Sequence, residues 1–201
     1  MKRTLLKIIS LCLLSAFALG MLTACNKKEA NYVKLTVKDL GVIVIELDRE
    51  SAPKTVENFV KLVDKGFYDG LTFHRVIANF MVQGGCPEGT GRGNSGEYIE
   101  GEFFSNGYTG NHISHVRGVV SMARGNLKNS ASCQFFICVG NATHLDGDYA
   151  AFGYVIEGME VADAIVNRTA HLATDGNGGV PKSSQIVIEK AETLAEYTPK
   201  A

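Results

Sequence analysis

The chain has 201 residues, 45% hydrophobic and 20% charged, with a formal net charge of −1. That balance can bury a full core without covalent staples and, with no long basic run, excludes nucleic acid as a partner. Twenty-two glycines against four prolines favour a turn-rich β fold over a helical bundle.

The chain opens with Lys2, Arg3 and Lys7, followed by the apolar run LCLLSAFALGML and then Leu22-Thr23-Ala24-Cys25. A positive start, a short apolar core and small residues before a cut site form an export signal. The uncharged stretch 8–25 is borderline in length for a membrane span, so length alone leaves a transmembrane helix open. The ending Leu-Thr-Ala-Cys resembles the lipobox of bacterial lipoproteins. The resemblance implies a signal peptide over 1–24, acylation of Cys25 with palmitate-type chains, and an extracytoplasmic protein anchored by its lipid to a bacterial membrane. The mature chain would then carry 17 basic and 21 acidic residues, a net charge of −4.

Residues 25–31 form a polar, lipidated tether. The segments 33–37 and 41–48 read as strands joined by the hairpin turn Lys38-Asp39-Leu40-Gly41. SAPKTVENFVKLVDKG, 51–66, reads as a helix with Ser51 as its cap, Pro53 in its first turn and Gly66 at its end. Val56, Phe59, Val60 and Val63 share its apolar face. LTFHRV and FMVQGG are the next two strands, and 85–111 is a long polar surface loop. VRGVVSMA and CQFFICVG are strands linked by GNLKNSA, and AFGYVI is another. GMEVADAIVNRT is a second helix burying Val161, Ala162, Ile165 and Val166. The glycine-rich TDGNGGVP precedes a last strand, SQIVIEKA. One domain thus covers 32–192, and the tail 193–201 is expected to fray. About eight strands with two isolated helices point to a closed antiparallel barrel whose ends the helices plug.

Several motifs carry no chemistry. Gly91-Arg92-Gly93-Asn94-Ser95-Gly96 matches GxGxxG but does not join a strand to a helix, so no dinucleotide site is expected. The histidines at 74, 112, 115, 144 and 171 lack ligand spacing, and no CxxC or HExxH occurs, so neither metal nor cofactor is expected. Within CQFFIC, Cys133 and Cys138 point to opposite faces and cannot bridge. With Cys86 they form an odd set with no disulfide framework. Alternation puts Phe80 and Val82 on one face and Met81 and Gln83 on the other, unless a bend intervenes. Gln134, Phe136 and Cys138 share a face, opposite Phe135 and Ile137. Arg75, Gln83 and Gln134 stand at core-like positions and therefore need partners or a ligand.

Phe73-His74-Arg75-Val76-Ile77, Phe80-Met81-Val82-Gln83-Gly84-Gly85, Gly89-Thr90-Gly91, Ser121-Met122-Ala123-Arg124 and Gln134-Phe135-Phe136-Ile137 resemble the signature segments of cyclophilins, the peptidyl-prolyl cis-trans isomerases. Leu145-Asp146-Gly147, Phe152-Gly153-Tyr154-Val155 and the helix segment 53–59 extend the resemblance to about residues 33–190. It implies an eight-stranded antiparallel barrel capped by two α-helices. It also implies a catalytic Arg75, a proline pocket walled by Phe80, Met81, Phe136 and Leu145, and a hydrogen-bonding Gln83. His74, Ala123, Arg124 and Gln134 would line the groove, with His144 and Tyr149 at positions where family members carry a tryptophan and a histidine. Loss of that tryptophan implies weak cyclosporin sensitivity. Ala78-Asn79 replaces a common Pro-Gly or Pro-Asn, and Cys86 a common Asp. The expected substrate is a proline-containing segment of an unfolded or exported polypeptide, and the expected state a monomer. The alternative is a tethered module or chaperone that binds proline segments with little turnover.

Overall fold

In β1, Tyr32–Val37, the buried Val33, Leu35 and Val37 alternate with half-exposed Tyr32, Lys34 and Thr36. This period of two lays one face of each strand against a common core, and the other strands repeat it with local slips. The computed structural model describes residues 29–199. The expected export signal over 1–24, Cys25 and residues 26–28 of the expected tether lie outside the described residues. The remaining strands are β2 (Gly41–Leu47), β3 (Thr72–Ile77), β4 (Met81–Cys86), β5 (Val119–Met122), β6 (Phe135–Cys138), β7 (Ala151–Glu157) and β8 (Ile186–Leu194); the helices are α1 (Pro53–Asp64) and α2 (Met159–Thr169).

The strands close into an antiparallel barrel in the order β1-β2-β7-β5-β6-β4-β3-β8. Strand β1 pairs with both β2 and β8, which removes the free edge. Counted either way round, β6 lies diametrically opposite β1. The core holds the inward residues of the strands together with Val56, Phe59 and Val63 of α1 and Val161, Ala162 and Ile165 of α2. Phe59 sits among Tyr68, Phe135 and Phe152 at centroid distances of 5.2, 5.4 and 4.9 Å. Val60 and Val166 are only partly buried at the margin of this core. A second, smaller cluster lies on the outer wall of the barrel, formed by Met81, Phe136, Cys138 and Val119 with Phe80 and Leu145 packed against it.

Two local expectations are corrected. Ser51 does not cap α1; its backbone N–H and hydroxyl both donate to the Asp48 carboxylate, closing a turn instead. The cap comes from Glu102, which accepts from Lys54 N–H at 2.9 Å, Thr55 N–H at 2.8 Å and the Thr55 hydroxyl at 2.7 Å. At the other end, residues 193–194 do not fray. Strand β8 continues to Leu194, which pairs with Tyr32. Beyond it, the Tyr197 ring lies 6.0 Å from that of Tyr32 and its hydroxyl donates to Glu157.

Candidate active site

The site is built on the outer face of β3, β4 and β6. Strand β3 reaches it through a bulge: Phe73 opposes Gly84 and Arg75 opposes Gln83, so His74 is the extra residue. Phe73 and Val76 therefore both face the core, and Arg75 leaves it. The next turn changes phase again. Asn79 has φ of 60°, and Phe80 lies before β4 on the same outer face as Met81 rather than with Val82, which is in the core. Phe80 is thus not paired with Val82 as strict alternation expects. In β6 the expected division holds, with Phe136 and Cys138 outside and Phe135 and Ile137 inside.

These elements surround a hollow of about 430 Å³. Phe80, Met81, Phe136, Leu145 and Tyr149 give its apolar wall, and Arg75, Gln83, His74, Ala123 and Arg124 also line it. A smaller hollow of about 260 Å³ adjoins it, sharing Gln83, Ala123 and Arg124, and it is there that Gln134 is found. His144 lines neither hollow; its ring packs against Phe80 at 5.4 Å. The sequence reading left out Thr90, Gly91, Asp175, Asn177 and Gly179, which also border the main hollow.

Arg75 is held by neutral acceptors. Its Nε–H donates to the Asn177 carbonyl at 2.7 Å and its Nη1 to Gln83 Oε1 at 3.0 Å, with Met81 Sδ at 3.8 Å. Gln83 is fixed in turn. Its Nε2 donates to Gln134 Oε1 at 2.9 Å, and Gln134 Nε2 donates to the carbonyls of Gly91 and Gly93 at 2.9 and 2.8 Å. Among the described residues no carboxylate makes an ion pair with Arg75. Burial lowers its pKa, offset by Tyr149 and Asp175, but a guanidinium stays protonated throughout the working range. The result is a full positive charge facing the apolar wall of a mixed hollow, oriented but not neutralised.

The neighbouring charges have other tasks. The Arg124 guanidinium lies over Tyr149 at 4.6 Å and Phe103 at 5.2 Å, and its Nε donates to Asp148 O at 3.0 Å. It braces the Tyr149 wall by cation–π contact. His74 is buried with neither ring nitrogen hydrogen-bonded. Burial pushes its pKa down to about 4, and nearby Thr72 and Gln134 offset this only in part. It is a neutral packing group at the hollow.

Behind Phe136 lies an arrangement in the order of a hydrolytic triad. His115 Nδ1 is 2.9 Å from Asp146 Oδ1, and its Nε2 is 3.0 Å from Ser121 Oγ. Ser121 is completely buried, and the His115 ring stacks on Phe136 with centroids 6.0 Å apart. No substrate carbonyl can reach that hydroxyl, so the trio supports the pocket wall from behind. Cys86, Cys133 and Cys138 are free thiols. Burial pushes Cys133 up to about 11 and Cys138 to about 12. At Cys86 burial also raises the pKa, but backbone groups of Thr90, Glu88, Gly93 and Gly91 outweigh it. Gly91 N–H donates to its sulfur at 3.2 Å. Among the described residues no cluster of three or more His, Cys, Asp or Glu side chains could hold a metal ion.

The same fold recurs in known proteins. The chain is 46% identical over 131 residues to peptidyl-prolyl cis-trans isomerase B of Bacillus subtilis, covering 65% of this chain and 87% of that one. It is 44% identical over 150 residues, 75% of this chain, to peptidyl-prolyl cis-trans isomerase-like 2 of Neurospora crassa, and spans only 24% of that longer protein. The crystal structure of a cyclophilin-type peptidyl-prolyl cis-trans isomerase from Cryptosporidium parvum superposes with a TM-score of 0.70 at 28% identity, covering 85% of this chain and all of that one. The family model for "Cyclophilin type peptidyl-prolyl cis-trans isomerase/CLD" matches residues 32–193. With the closed barrel, the outward-turned arginine and this match over nearly all the described residues, the chain belongs to the cyclophilin-type peptidyl-prolyl cis-trans isomerase family.

Proposed function

We propose that this protein catalyses cis–trans isomerisation of X–Pro bonds in exported polypeptides, acting from a lipid anchor at Cys25 outside the cytoplasmic membrane. The observation that carries the catalytic part is Arg75, a charge held by two neutral acceptors in a hollow with one apolar wall. The X–Pro amide resists rotation with a barrier of about 18–20 kcal/mol, because its nitrogen shares a lone pair with the carbonyl. As the bond twists, that lone pair localises on nitrogen and becomes a hydrogen-bond acceptor. A guanidinium aimed at it favours the twisted form over either planar form, which is the requirement for rate enhancement. Phe80, Met81, Phe136 and Leu145 would grip the ring while the carbonyl side swings. Lowering the barrier by about 7 kcal/mol gives roughly a 10⁵-fold acceleration. No proton transfer or covalent step is needed.

The deciding experiment measures cis-to-trans conversion of a proline peptide, and peptide affinity, for wild type and Arg75→Ala. Loss of one preorganised donor is expected to cost on the order of 10²–10³ in turnover, with affinity changed little because the apolar wall remains. If both proteins convert the peptide only at the background rate while still binding it, the reading becomes that of a binding module. The anchor is supported by the sequence around Cys25. Cys25→Ser is expected to abolish incorporation of radioactive palmitate in cells, and undiminished labelling would refute the anchor.

A further inference from the structure

The segment 174–180, TDGNGGV, carries no nucleophile or metal motif. It nevertheless runs beside the part of β3 that β8 leaves unpaired. Strand β8 pairs with β3 only at Thr72 and Phe73. Beyond that point Val76 N–H donates to Gly178 O at 2.8 Å, Val180 N–H donates to His74 O at 2.9 Å, and Arg75 and Gly179 form an isolated antiparallel bridge. The loop stands in for the missing strand and supplies backbone partners that β3 would otherwise lack.

One side chain fixes the shape of this loop from within. Asp175 Oδ1 accepts from the backbone N–H of Asn177 at 3.0 Å and of Gly179 at 2.9 Å, and Thr174 N–H donates to Gly179 O at 3.0 Å. The loop also lies tight on β3. At Gly178, with φ of +85°, a Cβ would stand 2.5 Å from Ile77 Cγ1 and 2.8 Å from the Val76 carbonyl. Held in this way, Asn177 presents its carbonyl to Arg75 Nε at 2.7 Å.

We propose that Asp175 is a positioning residue for the isomerase reaction: by folding the 175–179 turn it aims the Asn177 carbonyl at Arg75 and so fixes the guanidinium at the hollow. The inference rests on the reading of Arg75 given above. Gln83 holds only one edge of the guanidinium, through Nη1, and a fork held at one edge can pivot. The Asn177 carbonyl holds the other edge through Nε and sets the plane. A misplacement of about 1 Å in a reacting group costs up to about 10²-fold in rate. The negative charge of Asp175 is incidental, because the arginine is protonated at every working pH. An amide oxygen in the same place would serve.

The test compares Asp175→Ala, Asp175→Asn and Arg75→Ala with wild type in kcat, KM and peptide affinity, and the two Asp175 variants also in exchange of the Arg75 Nε–H with water by NMR. Asp175→Ala is expected to lower kcat about tenfold, leave KM and affinity within about twofold, and speed exchange of the Nε–H. Asp175→Asn, which keeps the acceptor oxygen, is expected within about threefold of wild type with the Nε–H still protected. Should the alanine variant unfold, Asp175→Ser, with a weaker acceptor, is expected to fall between the other two in both readouts. Wild-type kcat or wild-type Nε–H protection in Asp175→Ala, or in Asp175→Ser where it replaces the alanine variant, overturns the inference, as does a loss in Asp175→Asn equal to that in the variant it is compared with. If Arg75→Ala itself keeps wild-type turnover, the reading of Arg75 has failed. If Arg75→Ala is slow and Asp175→Ala is not, the loop inference alone has failed.

Discussion

Arg75 owes its outward direction to one extra residue. A regular strand would send Phe73 and Arg75 to the same side. The bulge at His74 breaks that parity, so Phe73 and Val76 reach the core while Arg75 meets Gln83 outside. Asn79, in left-handed backbone, resets the phase again before Met81. Alternation along 72–83 is illegible for this reason: a bulge and a turn within twelve residues defeat any fixed period of two. The residue types remained informative, because a charge and two glutamines among large apolar side chains demanded partners, and those partners turned out to be one another and the backbone carbonyls of Asn177, Gly91 and Gly93. His74 yields a prediction at this scale. Its folded pKa is about 4, against about 6.5 unfolded. Above pH 6.5 both states are neutral and its contribution to stability is fully present. As pH falls towards 4 the unfolded chain takes up a proton that the folded chain refuses, so stability drops, by about 3 kcal/mol at most. Denaturant midpoints between pH 7 and 4.5 are expected to fall less in His74→Phe than in wild type. Some slope should persist, since burial lowers the pKa of His115 as well. An unchanged slope would assign the whole effect elsewhere.

At the level of elements, helix α1 shows what local reading supplies and what it does not. Its apolar face was legible because Val56, Phe59 and Val63 recur at helical spacing, and Pro53 marks its first turn. Its cap was not, because the acceptor is a carboxylate nearly fifty residues away. Ser51 is of the favoured type at nearly the favoured place, but its hydroxyl is committed to Asp48. Glu102 is almost completely buried and satisfies two N–H groups at the positive end of the helix and one hydroxyl. Glu102→Ala is expected to destabilise the fold by about 2–3 kcal/mol, since buried N–H groups lose a charged acceptor. Ser51→Ala, which removes a turn contact only, should cost less than about 1 kcal/mol. Urea unfolding of both variants checks the order, and a larger loss at Ser51 would return the capping role to it. The 174–180 segment was legible as a glycine-rich loop, but its place beside β3 was not, for a similar reason. Its glycines signal a turn, but only the barrel shows that β8 departs after Phe73 and leaves room for it.

Across the whole molecule, the architecture was legible from the number of strands, the two isolated helices and the ordered family segments, whereas strand order was not contained in any local pattern. Neighbours such as β7 with β2 and β6 with β4 are set by closure. Closure has a mechanical consequence. Tyr32 and Leu194 pair on one side of the barrel, so both ends of the described chain depart from the β1–β8 seam, while the groove runs from β3, the neighbour of β8, through β4 to β6 on the opposite wall. A leash attached ahead of Tyr32 would hold the cylinder by its back. The centre of its working face, at β4 and β6, would then lie turned away from that attachment.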